Sequence, residues 1–138
     1  MAERNDVLEL LRASFEWARA GDVEPLAHLL DLGASPDLTN DKGDTLLILA
    51  AYHQQDEAVR LLLDRGADVE RVNDNGQTAL AAAVFRRATG IVTALLQAGA
   101  NPDGGPRSAR SVAQFFELPE MLALLPTGPE DTGPARST

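Results

Sequence analysis

Few residues in this chain have types and spacings that could do chemistry. Its two histidines, His28 and His53, stand 25 residues apart. Asp56 and Glu57 follow His53 at three and four positions, a spacing that one helical face would gather into a weak set of divalent-metal ligands. A fixed site wants at least three ligands held in place, so His53 is expected to be a solvated histidine beside two carboxylates, with no metal. His28 is expected to lie partly buried along an outer helix. The chain has no cysteine, which excludes disulfides, thiol nucleophiles and thiolate metal sites. No H-E-x-x-H, no G-x-S-x-G and no phosphate-cradling glycine loop ending in lysine occurs. Gly104-Gly105 precedes Pro106 and reads as a turn. Carboxylate pairs such as Asp41 with Asp44 fall on turns, without the burial that tuned acid–base chemistry needs. No catalytic constellation emerges, and the expectation is a non-enzyme without cofactors.

Function must then come from surface, and the elements that build the surface can be read from composition and period. The chain has 138 residues, 44% of them hydrophobic, with 22 alanines and 21 leucines but only 4% aromatics. Alanine and leucine favour helix. Twelve basic against 21 acidic residues leave a net charge of −9, which repels phosphate backbones and argues against nucleic acid as a partner. Apolar runs reach only seven residues, as over 79–85, against roughly 20 for a membrane-spanning helix. The first residues, MAERNDVLEL, show no basic segment leading into a long apolar stretch. The expectation is a cytoplasmic protein with no membrane partner. Arginine outnumbers lysine eleven to one, which points to a GC-rich, bacterial genome.

A period runs through the chain. Gly33-Ala34, Gly66-Ala67 and Gly99-Ala100 are spaced by 33 residues, each preceded at the same offset by a leucine pair, Leu29-Leu30, Leu62-Leu63 and Leu95-Leu96. Gly43-Asp44-Thr45 and Gly76-Gln77-Thr78 share the spacing, and one further period lands on Ala109-Arg110-Ser111 as a degraded copy. Thr45 and Thr78 stand just before apolar runs, as helix N-caps do. A first helix is predicted over Leu46 to about Gln54 and over Ala79 to about Arg87. A second carries Val59, Leu62, Leu63 and then Val92, Leu95, Leu96 on one apolar face. Gly66 and Gly99 suit the left-handed residue that ends a helix, and Asn40-Asp41-Lys42-Gly43 and Asn73-Asp74-Asn75-Gly76 supply tight turns.

These residues resemble the ankyrin repeat, a family with a 33-residue period. Its pattern, D-x-x-G-x-T-P-L-H-x-A-A followed by V-x-x-L-L-x-x-G-A-D, is carried most closely by residues 41–103. T-P-L-H is replaced by Thr45-Leu46-Leu47-Ile48 and Thr78-Ala79-Leu80-Ala81, and Asn40 and Asn73 stand at the usual turn aspartate. The resemblance implies an all-α solenoid of stacked helix-turn-helix repeats joined by β-turn or hairpin loops. It would occupy residues 1–125, with repeats at about 5–40, 41–73 and 74–106 and a degenerate cap at 107–125. The ends read as caps, which shield the terminal cores of a stack. Asp6 with Glu9 suggests a helix N-cap, Phe15 and Trp17 add bulk, and a short helix is predicted from Glu120 to Leu125. Phe115 and Phe116 are expected to plug the far end. The Pro- and Gly-rich tail 126–138 is expected to be disordered.

Proteins of this family generally bind other proteins on the concave face formed by turn tips and first helices. The resemblance implies contact positions at Asp41, Lys42 and Asp44 and at Asp74, Asn75 and Gln77 in the turns. On the first helices it implies Tyr52 and His53, then Phe85 and Arg86, with Arg19 and Ala20 in the first repeat. Tyr52 and Phe85 share one register and are expected roughly 10 Å apart, one helix spacing, with Arg19 extending the row. Aromatics and arginine dominate interface hot spots, and this chain has only six aromatics. Asp37, Asp41, Asp44, Asp74 and Asp103 line the turns against a lone Lys42, which would suit a partner whose apolar patch is edged by basic residues. The function expected is protein binding by a monomer, acting by masking, inhibition or scaffolding. Self-association is the alternative, with a small-ligand site or enzyme around His53 and Arg86 behind it.

Overall fold

The computed structural model describes residues 2–127, with side chains from residue 7 onward. Within that range the chain forms eight helices and no strand: α1 Ala2–Ala20, α2 Val23–Asp31, α3 Leu46–Tyr52, α4 Asp56–Asp64, α5 Ala79–Phe85, α6 Thr89–Gln97, α7 Ala109–Phe115 and α8 Pro119–Leu124. The odd-numbered helices pack side by side as an inner layer, and the even-numbered ones form an outer layer behind them. The fold is therefore an all-α stack of four helix pairs.

Inner helices α3, α5 and α7 start where a hydroxyl can take over an orphan backbone N–H. Thr45 Oγ1 accepts from Ile48 N at 3.0 Å and Thr78 Oγ1 from Ala81 N at 3.1 Å. Both threonines are buried. Thr78→Ala should therefore destabilise the stack by about 1–2 kcal/mol, read from urea unfolding; an unchanged midpoint would show that the cap contributes nothing. Behind the caps, Leu46, Leu47, Leu80 and Leu62 are shielded from solvent, and Ala50, Ala83 and Ala113 sit fully buried at one level of successive inner helices. Alanine at that level lets neighbouring helices approach without a side chain between them.

The carbonyls of Trp17, Ala50, Ala83 and Ala113 accept from the amides of Asp22, Gln55, Ala88 and Leu118 at 2.8–2.9 Å, closing the same inner-to-outer turn four times. This equivalence fixes the true spacing as 33, 33 and then 30 residues. The final period is three residues short, so the 33-residue projection that lands on Ser111 overshoots the helix start by three residues. Ser108 is the N-cap of α7, and Ser111 supplies the amide that its hydroxyl accepts. A local reason is visible: Ser108 and Ser111 are both hydroxyl residues three apart, and only the packing of Ala109 and Ala113 decides between them.

The residue just before the outer helix's N-cap is left-handed in every pair: Gly21 at φ 79°, Gln54 at 60°, Arg87 at 58° and Glu117 at 53°. Only the first pair uses glycine. A side chain there costs roughly 1–2 kcal/mol, so Gln54→Gly should raise stability by up to about 1 kcal/mol after glycine's own entropy loss. A lower denaturation midpoint would contradict this.

The loops between pairs are ordered by asparagine. Asn40 Oδ1 accepts from the amides of Lys42 and Asp44, and Asn73 Oδ1 from those of Asn75 and Gln77, at 2.9–3.0 Å. Asparagine thus performs the turn-closing role of the family's aspartate. Successive loops are tied together by Asp74 N to the Lys42 carbonyl at 3.0 Å, Asp68 N to Asp37 Oδ1 at 2.8 Å and Asn101 N to Glu70 Oε2 at 2.8 Å.

Two further expectations are corrected. The helix start read at Asp6 lies inside α1, which already runs from Ala2; Ala2, Glu3 and Arg4 are helix formers with no glycine or proline to stop them. His28 is exposed rather than partly buried, because Leu26, Leu29 and Leu30 supply the buried face of α2. Phe15 and Trp17 do pack against the core at the first end. The disordered tail expected over 126–138 lies, from residue 128 on, outside the described residues.

Candidate partner-binding site

The shortened last period changes what the C-terminal aromatics are. Counted from Ser108 rather than Ser111, Phe115 takes the register of Tyr52 and Phe85, the last residue of each inner helix. Phe115 is 79% exposed and Phe116 49%, so neither plugs the end of the stack as expected. They prolong the row instead. Leu118, Met121 and Leu125 are the buried residues that close the stack there.

The row is continuous. Tyr52 and Phe85 stack nearly parallel, with ring centroids 6.2 Å apart and planes 10° from parallel. This is much closer than the roughly 10 Å expected from helix separation. Phe85 meets Phe116 edge-to-face at 5.3 Å, and Phe116 meets Phe115 in the same manner at 4.9 Å. At the other end the His53 ring stands edge-on to Tyr52 at 5.2 Å. Arg86 lays its guanidinium over the Tyr52 ring, 4.9 Å from the centroid, within cation–π range. Tyr52 and Phe85 remain 38% and 40% exposed, so each has one side seated on the stack and one side open.

The remaining expected contact residues divide by environment. Asp41, Lys42, Asp74 and Asn75 are exposed at the loop tips. Asp44 and Gln77 are half-buried and engaged: Asn73 Nδ2 donates to Asp44 Oδ1 at 2.8 Å and more weakly to Gln77 Oε1 at 3.5 Å. Their side chains help order the loop face. Arg19 is half-buried and paired with Glu16 at 2.6 Å on its own helix, while Ala20 is exposed beside it. Thus Tyr52, His53, Phe85 and Arg86 come together, with Arg19 acting on His53 through its charge, while the loop residues form a separate rim. Sequence reasoning missed Phe115 and Phe116 as members of the row. An alignment of Ser108-Ala109 with Thr78-Ala79 would have found them.

Partial burial, then the charges of Arg19 and Arg86, hold the His53 pKa below its ordinary 6.5, with Glu16 opposing them. Between that lowered value and 6.5 the unfolded chain binds the extra proton, so stability rises with pH through this window, and the His53 contribution is constant below and above it. His53→Gln should flatten that part of the stability profile between pH 5 and 7. An identical slope in the variant would remove His53 as its source.

Among the described residues no group of three or more His, Asp or Glu is placed to hold a metal ion. No described helix is long and apolar enough to cross a membrane.

A family model of three ankyrin repeats matches residues 14–104. The chain belongs to the ankyrin repeat family. One relative, an ankyrin repeat protein of Pseudomonas aeruginosa, is 45% identical over 53 residues, which is 38% of this chain and 31% of that protein. The chain therefore matches about a third of its relative's length, and that relative is bacterial. Ankyrin repeats are generally protein–protein interaction modules, in a family that is not enzymatic. The fourth helix pair, α7 and α8, lies beyond the matched region, and Phe115 and Phe116 stand at the end of its inner helix.

Proposed function

We propose that the chain binds a partner protein through its concave face, as a cytoplasmic monomer, with the aromatic row as the centre of contact and the loop tips as its rim. The observation that carries this reading is the row itself. Four of the six aromatic residues touch in sequence and stay between 38% and 79% exposed. Large exposed apolar surface is costly to keep in water and marks interaction sites when it is contiguous. Ring stacking and the arginine over Tyr52 also fix the row before a partner arrives, which lowers the ordering cost of binding. Binding of this kind would act by masking a partner surface, inhibiting it or holding it beside another protein.

Affinity capture from the source cells tests this, with wild type beside Tyr52→Ala/Phe85→Ala. A protein captured by wild type and lost from the variant, whose circular dichroism stays helical, is expected. Capture of the same protein by both would move the site off the row.

A further inference from the structure

The chain is strongly acidic as a whole, yet two grooves beside the aromatic row have no carboxylate among their described lining residues. One, of about 630 Å³, runs along the valley between α5 and α7 and is floored by Val112 between Phe85, Phe115 and Phe116; among the described residues its only charged lining residue is Arg107. The other, of about 550 Å³, lies across the Phe85–Phe116 wall, where Arg86 and Arg87 are its charged residues and Leu118 its floor. None of these three arginines forms an ion pair among the described residues. The acidic residues Asp41 and Asp74, by contrast, sit on loop tips and line neither groove. The net charge of −9 therefore says little about what the grooves attract: charge acts locally, and water and salt screen it beyond roughly 10 Å.

We infer that the paired grooves take an acidic segment of the partner protein, bearing one large apolar or aromatic anchor with carboxylates on both sides of it. This rests on the concave face being the binding surface. The anchor would enter the α5–α7 valley against Phe85, Val112 and Phe116. One carboxylate would face Arg107 at the loop end, and the other would face Arg86 and Arg87 at the far end. Arginine pairs with carboxylates through its planar fork, and such pairs strengthen where neighbouring rings exclude water. The two arginine positions lie at opposite ends of α5, a helix of seven residues and so about 10 Å long. An extended segment covers that span in about three residues at roughly 3.3 Å each. The recognised pattern is thus a carboxylate, an anchor one or two positions on, and a second carboxylate after a similar interval.

A displayed library of random 12-residue peptides, selected on the full chain, tests this without knowledge of the natural partner. Wild type should enrich peptides with an aromatic or leucine anchor flanked by Asp or Glu. A synthetic peptide of that kind should lose affinity at least about tenfold against Phe85→Ala, as central hot-spot truncations do, and when its acids are changed to lysine. Arg87→Glu/Arg107→Glu, which changes charged groove side chains outside the ring contacts of the row, should invert the preference and bind the lysine peptide better. Enrichment of basic or uncharged peptides overturns the inference; if their binding still depends on Phe85, the concave-face reading survives alone. If selected peptides bind equally well to Phe85→Ala, both readings fall. Failure to enrich any peptide, with the chain sedimenting as a dimer, overturns the acidic-segment inference in favour of self-association.

Discussion

Phe85→Ala should weaken partner binding by about 30-fold or more while the helical stack remains folded. Phe85 is the one ring that touches both halves of the row, stacking on Tyr52 and meeting Phe116 edge-to-face. It also forms a wall of both flanking grooves. Its removal would divide a continuous contact surface into two short ones. The folding cost should stay near 1 kcal/mol, since a pair of touching rings contributes about 0.5–1.5 kcal/mol beyond burial and this side chain is already 40% exposed. A fully buried phenylalanine would instead cost about 3–5 kcal/mol on truncation to alanine. Isothermal titration against the captured partner, with urea unfolding of the same sample, separates the outcomes. Tight binding with a large stability loss would make Phe85 a packing residue and displace the site.

The opposite pairing of effects is expected one helical turn away. Leu80→Ala should cost about 2–5 kcal/mol. Leu80 is fully buried in α5, which packs against α3 on one side, α7 on the other and α6 behind. A stack of repeats holds together through neighbour-to-neighbour interfaces, and a cavity in α5 weakens two of them at once. The fourth pair, whose inner helix has Arg110 at the level of Leu80, has the least core of its own and should unfold first. Urea titration followed by circular dichroism should therefore show a lower midpoint and a broader transition, with protection lost earliest over α7 and α8 in hydrogen exchange. A sharp transition at the wild-type midpoint would show that the interfaces are not coupled through α5.

Much of this architecture is legible before any coordinates. Thr45, Thr78, Gly66 and Gly99 announce the repeat because capping and left-handed backbone each demand a particular residue type, and those types recur at a fixed interval. The inner helices could be placed to within a turn for the same reason. The fourth repeat was harder to read. Its glycine-threonine signature is gone, two serines three residues apart compete as cap, and the place of Leu47 and Leu80 is taken by Arg110, which bonds to Asp103 at 2.7 Å and also to the Pro126 carbonyl. Among the described residues α7 packs on α5 and α8, with no helix pair on its far side, and a polar residue is accommodated there. Extrapolating the 33-residue period across this shortened unit moved Phe115 and Phe116 three positions out of register and made them look like packing plugs.

The candidate site divides the same way. Tyr52 and Phe85 were legible as one row because their register is intact. Their stacking was not, since helix spacing fixes where side chains start and rotamers fix where they meet. The local charge of the grooves was also hidden. Composition reports a net acidic chain, whereas Arg86, Arg87 and Arg107 converge only when α5 and α7 pack together. Asp44 and Gln77 illustrate the converse: their loop positions suggested contact residues, and the fold engages them with Asn73.

The central claim is that the exposed aromatic row meets the partner, and site-specific photo-crosslinking tests it most directly. A photoreactive phenylalanine analogue at Phe115, the most exposed ring of the row, is compared with the same analogue at Gln97, exposed on outer helix α6. On irradiation of the source cells, a discrete adduct with one protein is predicted from position 115 and none from position 97. Adducts from position 97 with none from 115 would place the partner on the outer face and contradict the account.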